Sequence, residues 1–146
     1  MRARAMAEEY PVTDLDADAL EAARLLATHR LPGLVVTDEK GRPYSVLGAS
    51  QVVRFLVPTY VQDDPALAAV VDEPLADRVA DQLAGTKVRA LLPDKPTELP
   101  VADADDTILE VAALMARMRS PLVAVVEGDD IIGVITASRL LELALR

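Results

Sequence analysis

The sequence predicts a mixed α/β fold of the α+β kind: two β-α-β-β-α repeats packed on each other. Two observations predict it. The first is an internal duplication. Val12–Thr37 laid on Val101–Val126, an offset of 89, matches at eleven of 26 positions without a gap, among them Asp14/Asp103, Asp16/Asp105, Leu20/Leu109, Glu21/Glu110, Arg30/Arg119 and Pro32/Pro121. After the turn Asp38–Arg42 the offset becomes 88, and the match resumes at Val46/Val134, Ala49/Ala137 and Ser50/Ser138. The second is the arrangement of the apolar residues, 51% of 146, which fall in strand-sized runs and amphipathic stretches rather than one long run. A unit of about 45–50 residues buries a core poorly alone, so the copies are expected to pack together.

Each repeat opens on a short extended piece, Pro11–Leu15 or Leu99–Asp103. A helix follows. In the second copy Thr107 and Glu110 have the spacing of a capping box, in which side chain and backbone satisfy each other's free N–H groups, and Asp18 and Glu21 take those places in the first. Ile108, Val111, Met115 and Met118 form one apolar stripe; Leu20, Ala23 and Ala27 are read as its counterpart. His29, where the second copy has Met118, is read as a helix-end residue. Pro32 and Pro121 stop these helices. The continuous apolar runs Leu34–Thr37 and Leu122–Val126 fit strands covered on both faces. A glycine-containing turn leads to a second strand, Tyr44–Leu47 or Ile131–Ile135, and a closing helix starts near Ser50 or Ser138. Between the copies, Asp64-Pro65 opens a helix over Ala66–Val71, a second runs over Glu73–Ala84, and Val88–Leu92 leads to the polar loop Asp94–Glu98. The expected organisation is a first repeat over 7–60, a helical segment over 61–93 and a second repeat over 94–146.

Composition excludes several functions. The 15 basic and 24 acidic residues give 15 − 24 = −9, which does not suit phosphate neutralisation on nucleic acid or an anionic membrane. With no Cys there are no disulfides, thiolate zinc sites or cysteine nucleophiles, and a single His builds no multi-histidine metal centre. Asp103, Asp105 and Asp106 form an acidic cluster that suits a helix start better than a cation. No paired carboxylates stand in a catalytic setting, so the expectation is not an enzyme, with no catalytic residue and no metal. Apolar runs are far shorter than the ~20 residues of a membrane span, and Glu8, Glu9 and Pro11 interrupt any leader, so a cytoplasmic protein without membrane insertion is expected.

The second copy carries Ser120-Pro121-Leu122-Val123-Ala124-Val125-Val126 and Gly133-Val134-Ile135-Thr136-Ala137-Ser138-Arg139-Leu140-Leu141. With the repeat spacing, these segments resemble a tandem pair of CBS (cystathionine β-synthase) domains, the arrangement called a Bateman module. The resemblance covers nearly the whole chain. It implies two repeats packed with pseudo-two-fold symmetry, two clefts between the copies, and ligands such as AMP, ATP or S-adenosylmethionine that regulate rather than serve as required cofactors. It also implies a homodimer and a regulated partner, an unidentified enzyme or transporter. The Thr hydroxyl and the N–H groups at the start of the last helix would hold phosphate, an Asp one turn on would hold the ribose, and the strand and proline would border the adenine. Carried onto this chain, the ligand positions are Thr136, Ser138, Arg139, Ile135, Pro121, Leu122 and Asp103 in the second copy, and Pro32, Leu34 and Gln51 in the first. Two departures stand out. Arg139 replaces the Asp, and Ser45, Gly48 and Gln51 replace the Gly, Thr and Asp in the first copy. Thr136 and Ser138 also suit an N-cap alone, and Arg139 also suits a pair with Glu142. The alternative is therefore a ligand-free dimerisation or interaction module with eroded nucleotide sites.

Overall fold

Strand and helix formation follow the duplicated pattern in the computed structural model, which describes residues 1–70 and 79–146. The first repeat contains β1 (Val12–Asp14), α2 (Ala19–His29), β2 (Gly33–Thr37), β3 (Pro43–Gly48) and α3 (Ala49–Leu56), preceded by a short α1 (Ala3–Met6). Then come α4 (Thr59–Asp63), a 3-10 turn at Pro65–Val70, α5 (Val79–Leu83) and a second 3-10 turn at Val88–Leu91. The second repeat contains β4 (Val101–Asp103), α6 (Ile108–Met118), β5 (Leu122–Glu127), β6 (Asp130–Thr136) and α7 (Ala137–Ala144).

Two three-stranded sheets result, with orders β1-β2-β3 and β4-β5-β6. In each, the outer first strand runs parallel to the central strand and the hairpin partner runs antiparallel. Even the irregularity is duplicated, since the register shifts at Val36/Thr37 and at Val125/Val126, 89 residues apart. The central strands are covered on both faces. Leu34 and Val36 face a core with α2, α3 and the Val88–Leu91 turn; Val123 and Val125 face a core with α1, α6 and α7. The opposite faces of the two sheets meet in a third core of Val35, Val46, Leu99, Leu122, Ala124 and Val134. This shared core makes the two repeats one folding unit.

The helix starts are set by caps. Thr107 and Glu110 close the expected capping box on α6, and Asp18 accepts the Leu20 N–H at 2.9 Å on α2. The α2 stripe differs from the sequence reading. The buried residues are Ala19, Ala22 and Leu26, not Leu20, Ala23 and Ala27. They lie 89 residues before Ile108, Val111 and Met115, so duplicated packing on the sheet sets the face, where alanines alone left it ambiguous. The expected helix over Ala66–Val71 is a 3-10 turn over Pro65–Val70, with Val71 outside the described residues. Of the helix expected over Glu73–Ala84, residues 73–78 lie outside the described residues and Val79–Leu83 is helical. His29 is exposed at the end of α2.

The N-terminal segment carries a further level of the repeat. Ala3 and Arg4 donate their N–H groups to Asp106 O (2.8 Å) and Ala104 O (2.9 Å). Val88 and Arg89 donate theirs to Ala17 O (2.9 Å) and Leu15 O (3.0 Å), the matching carbonyls of the other repeat. Arg4 pairs with Asp105 and Glu127 at 3.1 and 3.0 Å; Arg89 pairs with Asp16 and Glu39 at 2.9 and 3.6 Å. The stretch after each leading turn then runs along the sheet of the same half. Glu8 bridges Val134 of β6, and Glu98 bridges Ser45 of β3. Each repeat is thus completed by the segment that leads into the other.

Candidate functional site

The start of α7 collects most of the second-copy residues singled out in the sequence. β6 delivers Thr136 as the N-cap, and its Oγ1 accepts the Arg139 N–H at 3.0 Å. The Ala137 N–H donates to Pro121 O at 2.9 Å, which ties the helix start to the end of β5. Of the first-turn N–H groups at Ala137, Ser138 and Arg139, only that of exposed Ser138 has no protein acceptor among the described residues. That single N–H and the Thr136 hydroxyl proton remain available to an anion.

Arg139 follows in the same turn, with its side chain 25% exposed. Its Nε is 3.1 Å from Glu8 Oε1, and its Nη1 is 3.4 Å from Glu142 Oε1. Nε is itself buried and makes no aligned hydrogen bond, so the contact with Glu8 is one of charge. Glu142 also receives Arg146 at 3.1 Å. Gly133 makes room for the Glu8 segment. A Cβ there would stand 2.8 Å from Ala7 Cβ and 3.0 Å from Glu8 O. Its glycine thus has a backbone-approach role within this chain.

The other singled-out residues are distributed as follows. Ile135, Leu122 and Leu34 are fully enclosed in the cores and present no side-chain surface to a ligand. Pro121 and Pro32 are exposed beside the helix starts. Asp103 is not brought to the cluster. It pairs in register with Val126, four residues along β5 from Leu122, the partner of Thr136, a separation of about 13 Å at the rise of a strand. Its N–H is occupied by Asp106 Oδ2 at 2.9 Å.

The start of α3 differs. Gly48 offers no hydroxyl, and Gln51 Oε1 accepts the Gly48 N–H at 2.7 Å. Gln51 borders an open cleft of about 520 Å3, lined also by Arg54, Phe55, Gln62, Leu92 and Asp94. Ser45, where the second copy has Gly133, is fully buried and donates its hydroxyl to Thr97 O at 2.6 Å. Sequence reasoning missed Glu8, Arg54 and Asp94. The signal that finds Glu8 is the pairing of Arg2-Ala3-Arg4-Ala5-Met6 with Lys87-Val88-Arg89-Ala90-Leu91. Among the described residues, no group of three or more His, Cys, Asp or Glu side chains is arranged to hold a metal. No described helix is long and apolar enough to cross a membrane.

A family model described as CBS domain matches residues 3–58 and 88–146. A crystal structure of a CBS domain-containing protein of unknown function from Kribbella flavida is 68% identical, with TM-score 0.95, covering 100% of this chain and 99% of that one. The CBS domain of a membrane protein from Sphaerobacter thermophilus is 21% identical, with TM-score 0.71, covering 98% and 87%. CBSX2 in complex with AMP is 16% identical, with TM-score 0.66, covering 99% and 96%. No curated protein matches the sequence.

Proposed function

The chain belongs to the CBS-domain family, and from that membership we propose that it is a regulatory CBS pair that senses an adenosine-type nucleotide and passes the signal to a partner polypeptide, an enzyme or a transporter. The observation that carries the reading is the first turn of α7. It holds a Thr136 cap and a Ser138 N–H without a protein acceptor among the described residues, and the same turn carries Arg139. A phosphate met there gains a helix-end N–H, a hydroxyl donor and a charge-assisted contact. Arg139 replaces the family's ribose-holding Asp, so the grip moves from the sugar to the phosphate. This reading assigns the protein no catalysis of its own and no required cofactor. The distant CBS relative in complex with AMP makes AMP the first ligand to try.

The test is thermal unfolding with millimolar AMP, ADP, ATP, NAD or S-adenosylmethionine. A ligand at 100 times its dissociation constant adds about 2.7 kcal/mol, a shift of several degrees for this size. Thr136→Val removes a cap and lowers the melting temperature by itself, so the quantity to compare is the ligand-induced shift, expected to vanish. No shift with any of the five overturns the reading.

A second reading, a homodimeric interaction module that ignores nucleotides, is favoured by one observation. Val53 on α3 and Leu141 on α7 occupy matching positions and are 58% and 56% exposed. A dimer in sedimentation whose melting temperature is indifferent to nucleotides supports it; a monomer at micromolar concentration removes it.

A further inference from the structure

We propose that Glu8 is a built-in competitor for the Arg139 guanidinium, so that a ligand phosphate reaches Arg139 Nε only by displacing the Glu8 carboxylate. The inference rests on the nucleotide-sensing reading above. Its grounds lie in how the carboxylate is delivered. Glu8 is held on β6 by two backbone bonds, its N–H to Val134 O and its O from the Val134 N–H, each 2.9 Å. On one side of that bridge α1 is anchored, with Ala3 and Met6 fully buried in the second-repeat core. On the other, Tyr10 donates its hydroxyl to Gly33 O at 2.6 Å. Gly133 leaves the space for this approach. The carboxylate is therefore presented to Arg139 at a fixed position, 3.1 Å from Nε.

The contact is also built to yield. The Glu8 side chain is 56% exposed, and its charge contact with Nε lacks hydrogen-bond alignment. With its carboxylate side open to water, the pair is weakened and partly salt-screened. A dianionic phosphate, with more charge and more acceptor oxygens than a carboxylate, competes well for a guanidinium. The first repeat has no such arrangement. The matching segment offers Thr97 O to the Ser45 hydroxyl, and Gln51 stands where the second repeat has Arg139. The two halves thus differ at matching places, with Arg139 paired to a carboxylate in the second and neutral Gln51 bonded to the Gly48 N–H in the first. Displacement acts on the segment that links α1 to the first repeat, which gives ligand binding a route between the two halves.

The test is calorimetric titration of AMP into the wild-type chain, Glu8→Gln and Glu8→Lys at low ionic strength. Because the strand contact is made by backbone, both variants are expected to fold, checked by their unfolding curves. AMP should bind Glu8→Gln about threefold more tightly than wild type, the scale of an exposed ion pair, and Glu8→Lys more tightly still. Binding that is unchanged or weaker in both folded variants overturns the competitor role and leaves nucleotide sensing standing. Absence of AMP binding in all three chains overturns both.

Discussion

Arg4 and Arg89 do the same work in opposite halves. Each sits on a leading turn, and each clamps the aspartate after the first strand of the other repeat, Asp105 or Asp16. Hydrogen bonding from the Arg89 guanidinium holds the Asp16 carboxyl below the usual aspartate range. A carboxylate whose folded value lies below its unfolded value stabilises the fold once it is ionised. That contribution is fully present above the unfolded value of about 3.9 and is lost as pH falls through the lower folded value. The acid limb of the wild-type unfolding curve below pH 4 should therefore contain a component that Asp16→Asn lacks, and added salt should shrink it because the pair is exposed. Identical acid limbs for the two proteins would show that the pair contributes nothing. The Arg4 and Arg89 matches were present in the sequence, but with only two identities in five residues and an offset of 85 instead of 89 they fell outside the ungapped alignment. The Thr107–Glu110 cap was legible because its chemistry is local.

The paired helices show how far an element can be read from its own residues. Their existence, their proline stops and the cap of α6 follow from spacing alone. The buried face of α2 does not, because seven of its eleven residues are alanine or leucine at neighbouring positions and the sheet beneath decides between them. The way these helices end is not legible, because propensity does not point to a left-handed arginine. Arg30 and Arg119 both close their helices in the left-handed region, at φ 50°. An L-residue there costs roughly 1–2 kcal/mol, and glycine loses about 0.5–1 kcal/mol of that advantage through its freer unfolded state. Arg119→Gly should therefore stabilise the protein by about 0.5–1 kcal/mol, a rise of about 2–4 °C in melting temperature. A fall instead would mean that the Arg119 side chain stabilises the native state by more than its backbone costs.

The interlocking of the halves governs how the whole molecule unfolds. Duplication and doubly apolar strands told that two repeats share a core; they did not tell that each half is completed by the other's leading segment. That exchange has no periodic signature, since α1 is four residues long and its role depends on Met6 meeting Val111, Met115 and Ile135 in the far repeat. Leu99 and Val134 then join Val35 and Val46 in the core between the sheets. Neither repeat retains its buried surface if the other melts, so the chain should unfold in a single transition despite its two-fold design. Met6→Ala tests both points. It deletes a fully buried side chain near the N-terminus and should cost about 2–5 kcal/mol. If α1 were a loosely attached appendage, the loss would be near zero. If the repeats were independent, calorimetry would show the second repeat melting early and the first unmoved. One calorimetric transition displaced as a whole is the outcome required by a chain whose first helix belongs to its last sheet.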